Sequence, residues 1–152
     1  MASTKKKDTG GVWARLLFAV YVAAMLWLLF GQRLDTVVYQ QGLADSINLQ
    51  PFATVMMYWK LLRDGGSAYY VRHAFINLLG NVVMFVPLGY FLPSLFGRLR
   101  SFFKTVLFAL CIIVTVETVQ YFTMLGTCDI DDLILNLAGV AVGYPIWRLR
   151  RP

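Results

Sequence analysis

Asn77, Asn81, Glu117 and Asn136 each interrupt a long apolar run. Placing a charge at the centre of a bilayer costs roughly 2.5 to 3.5 kcal/mol on insertion scales, so a polar side chain inside such a run needs a partner or a purpose. More polar residues stand at helical spacing from these four. His73, Asn77 and Asn81 share one helix face by the i, i+4 rule, and Glu117 and Gln120 share another. Asp129, Asp132 and Asn136 form a third stripe if the last helix begins by Asp129.

Each group offers definite chemistry. A buried Glu117 suits proton exchange or a proton relay, and Glu117, Asp129 or Asp132 could act as general acid or base on a bound substrate. The asparagines suit hydrogen bonding to a polar head, although interhelical glue is the competing use of such residues. Gly80, Gly89, Gly139 and Gly143 offer close-packing surfaces for that glue, the last two at small-xxx-small spacing. Carboxylates at a helix N-terminus, as in Asp129, Asp131 and Asp132, also cap free amides and complement the helix dipole.

Other chemistries lack their residues. His73 is the single histidine, so a histidine-cluster metal site is excluded, and the aspartates show no calcium-loop spacing. There is no Gly-rich phosphate loop, nucleophile elbow or diagnostic Cys-His or Ser-His pattern. Cys111 and Cys128 form no disulfide framework. No cofactor and no metal are expected.

The elements that must position these residues follow from composition. The 152 residues are 59% hydrophobic and only 14% charged, against about 25% charged in soluble domains. The sequence predicts a single all-α integral membrane domain over residues 1–152, with spans at about 12–30, 74–96, 102–123 and 132–147. Lys5, Lys6 and Lys7 before the first span read as a retained signal anchor, because no small-x-small cleavage site follows it. Pro87 is tolerated within a membrane bundle, and a kink is expected near Gly89.

The net charge of +6 does not point to nucleic acid, because the basic residues cluster beside apolar runs. With four spans, ten of the fourteen Lys and Arg fall on one side: Lys5, Lys6, Lys7, Arg15, Arg98, Arg100, Lys104, Arg148, Arg150 and Arg151. The positive-inside rule makes that side cytoplasmic, with both termini there, in an inner-type membrane. Arg33, Lys60, Arg63 and Arg72 fall outside with six of the eight acids. An apolar stretch at 52–62, FATVMMYWKLL, is too short to span and would destroy the charge bias if it did. It reads as an interfacial or re-entrant segment with Tyr58, Trp59, Lys60 and Arg63 at the headgroup boundary.

At a rise of about 1.5 Å per residue, Asn77 and Asn136 lie roughly 5 to 8 Å from the outer ends of their spans, Glu117 about 9 Å and Asn81 about 11 Å. Three helices thus bring polar groups to one layer. A polar cleft open to the outer face satisfies both depth and angle.

Several ordered motifs resemble the VanZ-like membrane proteins, a family named for a teicoplanin-resistance protein of Gram-positive bacteria. Asn48-Leu49-Gln50-Pro51-Phe52 looks like its Asn-Leu-x-Pro-Phe element. The stretch NLLGNVVMFVPLG from Asn77 to Gly89 resembles its Gly-Asn helix that continues into Phe-x-Pro-x-Gly. Glu117 and Gln120 match its Glu-x-x-Gln, and Asp129-Ile130-Asp131-Asp132-Leu133 with Asn136, Gly139 and Gly143 matches its acidic ending. The family's Gly-Arg pair before the acidic turn is replaced by Gly126-Thr127-Cys128, so Arg72 is the candidate substitute for that arginine.

The resemblance implies a role at the bacterial cell envelope, where some members are associated with reduced susceptibility to lipoglycopeptides. The leading expectation is a binding protein for the head of an amphiphile, either a lipoglycopeptide antibiotic or a lipid-linked envelope precursor. Its cleft would be lined by Arg72, His73, Asn77, Asn81, Glu117, Gln120, Asp129, Asp131, Asp132 and Asn136. An enzyme acting on a lipid-linked substrate and a small proton-coupled transporter, working as a dimer, are the alternatives.

Overall fold

The computed structural model describes residues 9–31, 47–126 and 128–150. Lys5, Lys6, Lys7, Arg33, Asp35, Asp45 and Arg151, which enter the charge count above, lie outside the described residues. The elements in chain order are α1 (Thr9–Leu29), β1 (Ile47–Asn48), α2 (Ala53–Arg63), α3 (Ala68–Leu95), a 3-10 turn (Gly97–Leu99), α4 (Phe102–Phe122), β2 (Cys128–Asp129) and α5 (Ile130–Arg150). Among the described residues, α1, α3, α4 and α5 are the four helices long and apolar enough to cross a bilayer. The short α2 lies between the first two, where the interfacial segment is expected.

Two spans are longer than hydropathy indicates. α3 begins at Ala68, so Arg72 and His73 are helical. Hydropathy detects the lipid-soluble part of a helix, whereas Tyr69, Tyr70, Arg72 and His73 extend it into the headgroup layer, where such side chains are at home. α5 likewise gains Asp131 beside Asp132 in its first turn and Arg148 and Arg150 in its last, each sign complementing the helix dipole. α3 continues as one helix through Pro87 and Pro93.

The deepest contact in the bundle is α3 against α5. A Cβ built on Gly139 would stand 2.1 Å from the Val82 carbonyl oxygen, and one on Gly143 would stand 2.0 Å from that of Val86. Gly89 reciprocates, its Cβ position lying 2.2 Å from the Val140 oxygen. No side chain fits, so the two backbones touch directly, as small residues allow between membrane helices. Gly80 differs from the other three: a Cβ there meets nothing within 4 Å, so its expected packing role is not met.

Around this contact the core gathers Phe85, Leu88 and Leu92 of α3, Ala109 and Ile113 of α4, Val140 of α5, and Met25 and Leu29 of α1. α1 runs antiparallel to α3. The Tyr21 hydroxyl donates to the Met84 carbonyl at 2.9 Å, and the Phe18 ring packs tilted against Phe91 at a centroid distance of 5.6 Å. Most of the outward face of α1, including Val12, Leu16, Val20 and Trp27, is exposed, as suits a surface solvated by lipid.

Two hydrogen bonds mark the opposite ends of the bundle. At one end Gln120 Nε2 donates to the Leu29 carbonyl at 3.0 Å, joining α4 to the end of α1. At the other the Tyr144 hydroxyl donates to the Arg100 carbonyl at 2.7 Å. Arg98, Arg100, Lys104, Arg148 and Arg150 sit at the second end, while Lys60, Arg63 and Arg72 sit at the first.

Candidate functional site

Asp131 is completely buried, and its carboxylate is occupied by the backbone of a segment 76 to 79 residues earlier. Oδ1 accepts the Phe52 amide at 2.5 Å, and Oδ2 accepts those of Thr54 at 2.8 Å and Val55 at 3.1 Å. Asp131 therefore caps α2 rather than its own helix. α2 has no side-chain cap from its own N-cap residue, Phe52, and its first-turn amides would otherwise be orphaned. Phe52 adopts φ 65°, a left-handed turn that lets neighbouring amides converge on one anion.

Asp129 completes this clamp. Its Oδ1 accepts the Asp131 amide at 2.8 Å, which makes it the N-cap of α5, the helix that starts one residue later at Ile130. Its Oδ2 accepts the Thr54 hydroxyl at 2.7 Å and Asn48 Nδ2 at 3.3 Å. A two-residue parallel bridge, Ile47 with Cys128 and Asn48 with Asp129, aligns the strands β1 and β2. An all-helical reading does not foresee this bridge. The Asn-Leu-x-Pro-Phe and Asp-x-Asp motifs are thus two halves of one joint.

Beside the clamp, Asn81 Nδ2 donates to Asp132 Oδ1 at 2.5 Å, linking α3 to α5. The Tyr58 phenol is pushed up from its ordinary value by burial and by the charges of Asp132 and Asp129, which places α2 over the same group. The Cys128 thiol is pushed up by burial, then by Glu117 and Asp129. Glu117 is buried on α4 against this end. Thr54, Tyr58 and Cys128 are members that sequence reasoning missed as site residues. Thr54 carried a readable signal, a hydroxyl just after Pro51-Phe52 at the start of a helix.

The expected residues therefore separate. Asp129, Asp131, Asp132, Asn81 and Glu117 come together at one end. Gln120 turns instead to the α1 carbonyl, and Arg72 is exposed on α3. Asn136 is buried on α5, and its Oδ1, like that of Asn77, has no hydrogen-bond partner among the described residues. Among the described residues no three His, Cys, Asp or Glu side chains form a group able to hold a metal ion.

Two grooves open at this end. A groove of about 560 Å³ runs between α1 and α3, walled by Met25, Leu28, Leu29, Ile76, Met84 and Pro87, with His73, Asn77 and Asn81 as its polar members and Gly80 on its wall. A second, of about 800 Å³, lies between α2 and α3 and includes Tyr58, Lys60, Asp64, Tyr69 and Tyr70. His73 borders both. Volumes of a few hundred Å³ with mainly apolar walls and a few polar groups are typical of ligand sites.

The VanZ/LLP1 family pattern matches residues 16–151. The chain is 27% identical over 141 residues to Protein VanZ of Enterococcus faecium, covering 92% of this chain and 76% of that protein. No solved structure matches. With a match that spans nearly every described element, the chain belongs to the VanZ/LLP1 family.

Proposed function

We propose that this membrane protein binds an amphiphile at the outer leaflet, with the tail along the α1–α3 groove and the head at its polar end. By that binding it would contribute to glycopeptide or lipoglycopeptide resistance or to envelope homeostasis. The observation that carries this reading is the groove itself, about 560 Å³ between two spans, with His73, Asn77 and Asn81 together at one end of apolar walls. Placement at the outer leaflet rests on the basic residues at the opposite end and the positive-inside rule. A lipoglycopeptide antibiotic and a lipid-linked envelope precursor both have the required form, a polar head on an apolar tail.

Gly80→Phe tests the reading directly. The glycine faces open space and lines the groove, so a ring there fills the groove with little strain and a gain in helix propensity. The variant is expected to insert and melt like the wild type, yet to lose photo-crosslinking to a diazirine-bearing alkyl amphiphile. It should also lose any glycopeptide-resistance phenotype. Wild-type crosslinking by Gly80→Phe would overturn the proposal. Glu117→Gln and Asp132→Asn are expected to impair the same phenotype with insertion intact.

The enzyme reading finds its best support in Asp132, beside Tyr58 and bonded to Asn81. Asp129, by contrast, already accepts three hydrogen bonds. Turnover of a defined envelope lipid, abolished by Asp132→Asn, would distinguish catalysis from binding.

A further inference from the structure

The α2–α3 groove brings an ammonium, three phenols and an imidazole to one wall. Tyr58, Tyr69, Tyr70, Lys60 and His73 line it together. Their rings are mutually ordered, Tyr69 lying 4.8 Å from His73 and 5.4 Å from Tyr70 by ring centroid. The one carboxylate on the wall, Asp64, is drawn off by Arg63 at 2.9 Å. Among the described residues Lys60 forms no ion pair, so the wall carries an ammonium beside three phenols. Burial and the neighbouring carboxylates hold the Tyr58 phenol protonated, and so a donor, at neutral pH.

A surface rich in donors and carrying a cation complements a compact oxyanion, because charge-assisted bonds from lysine and hydroxyl groups are strongest to phosphate and carboxylate oxygens. The groove is continuous with the apolar α1–α3 groove at His73, so an anion seated on Lys60 can carry a chain that continues between the spans. We infer that the α2–α3 groove is a phosphate site, and that the amphiphile taken by this protein is a lipid bearing a phosphate head. The inference rests on the amphiphile reading above and adds the chemistry of the head.

The test uses full-length protein in zwitterionic nanodiscs and measures displacement of a fluorescent alkyl probe by dodecyl phosphate, dodecyl maltoside and inorganic phosphate. Dodecyl phosphate is expected to compete about tenfold better than the maltoside. Lys60→Gln and the double change Tyr69→Phe, Tyr70→Phe should each reduce that preference, and Lys60→Arg should restore it. These side chains are exposed or line the groove, so thermal melting of each variant should stay at the wild-type value.

Equal competition by phosphate and maltoside would overturn the phosphate inference and leave the amphiphile reading standing. Failure of every alkyl compound to compete would overturn both. Displacement by inorganic phosphate as effective as by dodecyl phosphate would overturn the continuity of the two grooves, since the tail would then add nothing. An unchanged preference in Lys60→Gln would remove the cation from the site and overturn the inference.

Discussion

The clamp and the grooves lie at the same end of the bundle and draw on the same residue types, yet they treat polarity in opposite ways. In the clamp, Asp131 and Asp129 meet donors from the chain itself: three amides on one carboxylate, and a hydroxyl, a carboxamide and an amide on the other. In the grooves, Lys60, His73 and the tyrosines line open space, and Asn77, on the wall of the other groove, keeps a buried carbonyl oxygen without a partner among the described residues. Internal satisfaction builds structure, because an unmet group in a low-dielectric interior costs the full desolvation of that group. Open capacity is what a ligand can use. A polar residue in a membrane protein is thus classified by where its hydrogen bonds end more than by its depth.

The contrast is broken most severely at Asp131. Asp131→Ala leaves three part-buried amides without their acceptor and removes the cap of α2, for an expected loss on the order of 3 kcal/mol. Asp131→Asn should lose less, since one carboxamide oxygen still accepts while the amino group opposes the remaining amides. Thermal unfolding in detergent, with proteolysis of the 47–66 region as a local probe, measures both. Wild-type stability in Asp131→Ala would show that α2 is held by something other than the clamp.

Thr54→Val is the milder cut in the same region. It removes the hydroxyl donated to Asp129 and preserves volume, for an expected loss of about 1 kcal/mol. The grooves should answer in the reverse sense. Asn77→Leu is expected to leave stability unchanged or raise it slightly, because an unpartnered buried oxygen is replaced by an apolar group. It should nevertheless weaken amphiphile binding several-fold. A variant that lost stability and binding together would move Asn77 from the groove into the scaffold.

Much of this was legible in the sequence. The four spans follow from hydropathy, and the small-residue contact follows from Gly139 and Gly143. Coincidence of depth among Asn77, Asn81, Glu117 and Asn136 predicts one polar layer across α3, α4 and α5; Asn81 bonds Asp132 across α3 and α5 and Glu117 stands near Cys128 at that end. Partner choice was not legible. Asp131 reads locally as a dipole complement of its own helix, and nothing in the spacing tells that its carboxylate reaches residues 52–55 instead. The reason is physical: a cap is recognised by adjacency, and this cap is supplied from a distant segment. Gln120 illustrates the same limit, since its face is predicted but the free carbonyl at the end of α1 decides its bond. Gly80 looks like its neighbours as a packing residue, and only the separation of α1 from α3 at that level makes it part of a groove wall.

The finest comparison concerns Glu117, which belongs to a span while standing close enough to the clamp to act on Cys128. Burial, Glu117 and Asp129 all raise the thiol's pKa from its ordinary 9.0, so at neutral pH the thiolate fraction is small and maleimide labelling should be slow. The rate should keep climbing above pH 9 instead of levelling, because the titration midpoint lies higher. Removing the charge in Glu117→Gln lowers the thiol's pKa and therefore raises the thiolate fraction at any pH below it, speeding labelling by roughly two- to threefold. Asp129→Asn acts in the same direction but also opens the clamp, so its larger acceleration would combine charge with exposure. Glu117→Gln isolates the charge, with Cys111→Ser included so that only one thiol reports. An unchanged rate in Glu117→Gln would mean that Glu117 carries no charge at neutral pH, and its use would then be as a proton-bearing donor toward the cluster rather than as an anion.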